Sequence, residues 1–249
     1  MDLAGTAART APERQVWRWH SPLVGRTMGV ARWGHYGRPL VVFPTGGGDV
    51  LDIESFGLVR ALGPRIAAGA LKVYAVDSVD RQAWTNPSVP PTEKAARQAA
   101  YDRWLIEEAV PLIRSDCAGT TQRFAAAGAS IGAYNALVAG TKHPDVFELV
   151  VGMSGTYAMD RRMAGQWCED WYYNDPLQFV PNLGPGPQLD ALRDSRFVLA
   201  VGAGHAENPS YTVRAARALA SRDIPHRVDV WWDGDHDWPT WHRMLPAYV

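Results

Sequence analysis

Phe124-Ala125-Ala126-Ala127-Gly128-Ala129-Ser130-Ile131-Gly132-Ala133-Tyr134 decides how the chain is read. Its first four residues are apolar and suit a strand buried on both faces. They run directly into the pattern G-x-S-x-G at 128–132, and a helix-compatible run from Ala133 to Thr141 follows. Strand, sharp turn and helix in that order are the setting in which this pattern presents a serine as a nucleophile. The composition has a steric reason. The backbone passes close to itself on both sides of such a turn, so the neighbours of Ser130 must be small. A helix beginning just after Ser130 also points its free N–H groups, and the positive end of its dipole, toward an oxyanion forming there. The plainer alternative is a packed serine at a small-residue crossing between strand and helix.

Outward from this turn, the chain alternates strand and helix patterns. Upstream, 16–21 and 25–32 alternate apolar and polar residues around Pro22, which predicts an antiparallel hairpin. The runs 39–44 and 71–76 are continuous and apolar, as in buried parallel strands, with a helical period over 53–67 between them. A polar, proline-bearing loop covers 77–91, and Thr92 is the expected N-cap of a long helix over 92–115. Downstream, strands are expected at 147–154, 197–202 and 226–232, and helices at 209–222 and 238–248. The stretch 155–192 reads as long, irregular and rich in aromatics, a length that usually marks a cap or lid. The first 14 residues read as a loose arm. The expected fold class is α/β: a mostly parallel central sheet, an antiparallel N-terminal hairpin and helices on both faces. No repeat or linker divides the 249 residues, so one domain, 1–249, is expected, with 155–192 as a cap insertion.

Composition narrows the classes. With 47% hydrophobic and 20% charged residues, a large core is available and disorder is not expected. A net charge of -1 makes no electrostatic case for nucleic acid or for an anionic membrane surface. Cys117 and Cys168 lack metal-ligand spacing, so neither a metal nor a cofactor is expected. The polar start does not read as a secretory signal, and no apolar run reaches spanning length, so the expectation is a cytoplasmic protein without membrane contact.

An activated serine requires a base, and the base an orienting carboxylate. Where the serine sits on such a turn, the chain order is serine, acid, histidine, each after a strand. Of seven histidines, His236 alone lies between the last strand and the last helix. His20 and His35 precede the turn, His143 ends its helix, His226 begins a strand and His242 lies inside the terminal helix. Glu207 is the carboxylate between the strand at 197–202 and the helix that follows, although an acid at a helix start has its own electrostatic reason. Asp233, Asp235 and Asp237 are too near His236 in sequence to hold its ring from behind. Two N–H groups should bind the oxyanion: that of Ile131, and that of Thr45 or Gly46 in the loop Thr45-Gly46-Gly47-Gly48. A phosphate cradle is the competing use of these glycines, but the loop lacks a lysine with serine or threonine and any G-x-G-x-x-G pattern. Candidate substrate contacts are Gly47, Trp167, Trp171, His205 and Trp238. The tryptophans at 167 and 171 either line an apolar or aromatic subsite or pack a cap, and His205 either meets substrate or caps its own loop.

Together, the turn at 128–132 and the loop Phe43-Pro44-Thr45-Gly46-Gly47-Gly48 resemble the α/β-hydrolase superfamily. His236-Asp237-Trp238-Pro239-Thr240-Trp241 is similar to the histidine box of its esterase branch, which holds esterase D, feruloyl and siderophore esterases and the mycobacterial mycolyltransferases. The resemblance spans about 39–245 and implies the α/β-hydrolase fold, a small-molecule ester substrate and, since the branch is often dimeric, a homodimer. A glutamate in the matching loop of the mycolyltransferases favours Glu207. The implied chemistry is ester cleavage through an acyl-enzyme on Ser130. Acyl transfer and thioester cleavage use the same groups, and a non-catalytic binding module is the alternative from another class.

Overall fold

A computed structural model describes residues 13–249. The strands are β1 (Arg14–Ser21), β2 (Arg26–Trp33), β3 (Arg38–Phe43), β4 (Leu71–Val76), β5 (Phe124–Ala129), β6 (Phe147–Met153), β7 (Arg196–Gly202) and β8 (His226–Trp231). They form one sheet in the order β1-β2-β4-β3-β5-β6-β7-β8. β1 pairs antiparallel with β2, and β2 with β4; every later pairing is parallel. The expected hairpin and parallel sheet are therefore present. The loose arm expected for 1–14 lies outside the described residues except for its last two, and Arg14 already belongs to β1.

Helices are α1 (Asp52–Ser55), α2 (Leu58–Ala67), α3 (Pro91–Trp104), α4 (Val110–Asp116), α5 (Ile131–Lys142), α6 (Asp160–Met163), α7 (Glu169–Tyr173), α8 (Pro176–Phe179), α9 (Pro187–Arg193), α10 (Pro209–Ala220) and α11 (Trp238–Tyr248). Alternate residues of the central strands feed two cores, one on each face of the sheet. Val41, Phe43, Ala126, Val150 and Phe197 meet α3, α4, α5, α9 and α10 on one face. Leu40, Val42, Ala125, Ala127 and Val151 meet α1, α2 and α11 on the other. Among the described residues, no helix is long and apolar enough to cross a membrane.

Three local expectations need correction. The helix expected over 53–67 is broken at Gly57, whose φ of 84° ends α1 and starts α2. The helix expected over 92–115 starts with Pro91 in its first position and Pro90 as its cap, so Thr92 does not cap it. It also widens into a π turn at Leu105–Ala109, just ahead of Pro111, whose ring conflicts with the carbonyl four residues earlier. The stretch 155–192 is not irregular. It holds α6 to α9, and Phe179, Val180, Leu189 and Leu192 are buried in the core. Asp175 caps α8 by accepting from the Leu177 N–H at 2.9 Å.

Candidate active site

β5 delivers Ser130 to the carboxyl end of the sheet at φ 57°, ψ -121°. A non-glycine residue held there costs about 1–3 kcal/mol and persists only where its surroundings enforce it. They do so on two sides. The Ser130 N–H donates to Met153 O of β6 at 2.9 Å, and its carbonyl accepts from the Thr156 N–H at 3.0 Å. The two glycines of the turn are sterically required. A Cβ on Gly128 would lie 2.3 Å from the Gly132 backbone, and one on Gly132 would lie 2.5 Å from Phe43 O. The second contact seats the loop after β3 against the start of α5. That helix begins at Ile131, two residues before the expected start, so the Ile131 N–H is a first-turn donor without a partner among the described residues.

Carboxylates sort the other N–H groups of the loop. The Thr45 N–H and Oγ1 both donate to Asp52 Oδ2, at 3.0 and 2.9 Å. The Gly47 N–H donates to Asp80 Oδ2 at 3.2 Å, and the Gly48 N–H to Thr45 O at 2.9 Å. Gly46 keeps an N–H without a partner among the described residues, whereas the Thr45 N–H is committed to Asp52. Burial pushes the Asp52 and Asp80 carboxyls up from their ordinary value, partly offset by these hydrogen bonds.

β7 and β8 supply the other two groups. His236 Nδ1 faces Glu207 Oε2 at 3.4 Å; the Glu207 side chain is 1% exposed and that of His236 27%. Oε1 of Glu207 accepts from the Gly202 N–H at 2.9 Å and from Ser154 Oγ. Burial alone would raise the Glu207 carboxyl, but hydrogen bonds from His236, Ser154 and Gly202 outweigh it and hold the group below its ordinary value. Ser130 Oγ is not hydrogen-bonded to His236 among the described residues, and such contacts often tighten only with substrate bound.

The acids flanking His236 have other work. Asp233 pairs with Arg243 at 2.6 Å, Asp237 caps α11 through the Thr240 N–H at 2.9 Å, and Asp235 accepts from the N–H groups of His236 and Ala206. Three of the histidines set aside by position also have structural partners. His143 joins Lys142 on Asp102, His226 Nδ1 bonds Ile224 O, and His242 Nε2 bonds Phe56 O.

The substrate candidates separate. Trp171 is buried with its indole N–H on Asp175, in an apolar cluster with Ile131, Tyr134, Met159 and Trp84, so it backs the turn from within. Trp167 is 62% exposed beside Tyr172. His205 is exposed, and Gly47 has a φ of 73° and no room for a side chain, since a Cβ there would lie 2.9 Å from Arg81 Nε. Trp238, two residues after His236 and the first residue of α11, stacks on Phe56 at 4.8 Å. Sequence reasoning missed Ser154, Trp241, Asp52 and Asp80. The signal for Ser154 was its place at the end of the strand next to β5, before Gly155.

The family model "Esterase: Putative esterase" matches residues 56–249. No curated protein sequence matches. Among solved structures, the ferulic acid esterase AmCE1/Fae1A of the anaerobic fungus Anaeromyces mucronatus superposes with a TM-score of 0.70 at 14% identity, covering 96% of this chain and 89% of that one. MPT51 (FbpC1) of Mycobacterium tuberculosis gives 0.68 at 19% identity, covering 95% and 96%. An S-formylglutathione hydrolase of Agrobacterium tumefaciens gives 0.66 at 16%, covering 94% and 96%. At these identities the likeness is one of fold.

Proposed function

The chain belongs to this esterase family, and from that premise we propose that it is a serine carboxylesterase working through an acyl-enzyme on Ser130. His236 takes the Ser130 proton as the hydroxyl attacks the ester carbonyl. Glu207 holds the Nδ1–H tautomer and stabilises the imidazolium. The Gly46 and Ile131 N–H groups bind the oxyanion. The imidazolium then protonates the leaving alcohol, and a water activated by the same histidine releases the acid.

The observation that carries this reading is the pairing of His236 Nδ1 with the buried Glu207, at the strand ends beside a serine held at positive φ. A neutral small-molecule ester fits a site built from backbone donors, and 155–192 is the segment to cover it. Thioester cleavage is the nearest variant, since the machinery is indifferent to the leaving atom and one structural neighbour is a hydrolase of S-formylglutathione.

Ser130→Ala is expected to lower turnover of p-nitrophenyl acetate about 10⁶-fold. Wild-type protein is expected to take up a fluorophosphonate at Ser130, visible as a mass increase of the peptide that holds it. An unlabelled wild type, or an alanine variant that still turns over, ends the proposal.

A further inference from the structure

The hydrogen bonds behind His236 run deeper than three residues. Trp241 Nε1 donates to Ser154 Oγ at 2.9 Å, and Ser154 Oγ donates to Glu207 Oε1. An indole N–H can only donate and an ionised carboxylate can only accept, so both ends fix the direction: Trp241 to Ser154 to Glu207. Hydrogen bonds in such a chain polarise one another. With Oε1 occupied by Ser154 and by the Gly202 N–H, Oε2 is the oxygen left to face His236 Nδ1.

Ser154 itself is 3% exposed and adopts φ 49°, a conformation that glycine would take more readily. The hydroxyl is thus present despite a backbone penalty. The ring of Trp241 meets the His236 ring edge-on, with centroids 5.2 Å apart and planes at 81°. One side chain therefore braces the histidine and anchors the hydroxyl that holds the acid.

We propose that Ser154 is a positioning residue, aiming the Glu207 carboxylate so that Oε2 faces His236, with Trp241 as its anchor. This rests on reading Ser130, His236 and Glu207 as the catalytic set. Without the Ser154 hydroxyl, Glu207 keeps one donor on Oε1 and is free to rotate away from the ring, and the tautomer that leaves Nε2 available as a base is no longer enforced.

The test is steady-state hydrolysis of p-nitrophenyl acetate by wild type, Ser154→Gly, Glu207→Gln and the double variant. Glycine accepts the positive φ, so Ser154→Gly removes the hydroxyl without asking the backbone to move. It is expected to lower kcat about 10- to 100-fold with KM within about twofold, and to cause no further loss on top of Glu207→Gln. Trp241→Phe, which keeps a ring edge on His236 and loses the N–H, is expected to lower kcat about three- to tenfold.

Unchanged kcat in Ser154→Gly overturns the proposal. So does a loss that multiplies in full onto Glu207→Gln, the mark of a purely structural role. The two readings fail separately. Fluorophosphonate labelling of the wild type with an indifferent Ser154 removes this proposal alone, whereas absent labelling removes the catalytic set on which it stands.

Discussion

Glu207 couples the candidate site to folding through its charge. Three donors hold its carboxyl below the ordinary value, so the folded state binds its proton less tightly than the unfolded chain. The stability this contributes is complete above the unfolded value of about 4.3 and is lost as pH falls through the folded one. Glu207→Gln is therefore expected to flatten the fall in melting temperature between about pH 5 and pH 3. It should also lower kcat about 10³- to 10⁴-fold at neutral pH, since an amide favours the wrong imidazole tautomer. Thermal melts across that range, run beside turnover at pH 7.5, check both; equal acid sensitivity in the two proteins would remove the linkage argument. That Glu207 sits behind His236 was legible because the chemistry asks for a carboxylate and an imidazole after successive strands, and few residues qualify. Which of Thr45 and Gly46 has the free N–H was not legible. It depends on Asp52 and Asp80, which reach the loop from other elements, and local sequence carries no mark of that.

At the scale of elements, α5 and the loop after β3 meet backbone against backbone at Gly132. A Cβ on Gly132 would lie 2.5 and 2.6 Å from the carbonyl oxygens of Phe43 and Pro44, backbone atoms that cannot swing aside as a side chain can. Gly132→Ala is expected to displace the loop that bears Gly46. The destabilisation should be about 1–3 kcal/mol by overpacking, and kcat should fall by about 10²- to 10³-fold as one oxyanion donor leaves its place. Chemical denaturation and turnover measured on the same preparation separate the two effects; full activity with reduced stability would show that Gly46 is not the donor. Elements were legible wherever period and punctuation agreed, as in β5 and α5. They were misread where one residue overrode a long pattern. Gly57 breaks a helix whose apolar period continues past it, whereas the helix expected over 92–115 runs unbroken from Pro91 to Asp116 and departs only by a π turn ahead of Pro111. The stretch 155–192 was misread for another reason. Its helices have only four to seven residues, too short for a period to show, and burial of Phe179, Leu189 and Leu192 rather than propensity sustains them.

For the molecule as a whole, chemistry and anchoring sit at opposite ends of the sheet. The candidate site occupies the carboxyl ends of β5, β7 and β8. At the other end, a cleft of about 520 Å³ is bordered by His35, Arg38, Lys72, Asp116 and Cys117. Lys72 is 4% exposed, and its ammonium bonds Asp116 O at 2.6 Å and Oδ2 at 2.7 Å; Tyr74 donates to the same oxygen and Arg32 pairs with the other. Lys72→Met is expected to cost about 2–3 kcal/mol, less than a fully orphaned buried charge because Arg32 and Tyr74 stay on Asp116. It should leave kcat within about twofold, since additivity holds for distant sites. A large fall in turnover at a temperature where the variant is fully folded would contradict this separation.

No member of the proposed triad lies on β6, yet the end of that strand secures the arrangement twice, through Met153 O on the Ser130 amide and through Ser154 on Glu207. A designer who wants a new substrate range would look to exchange the segment that follows. The safe boundary for such a transplant falls after Thr156, whose amide still grips Ser130. Chimaeras cut earlier would inherit all three reactive side chains and lose the scaffold that aligns them.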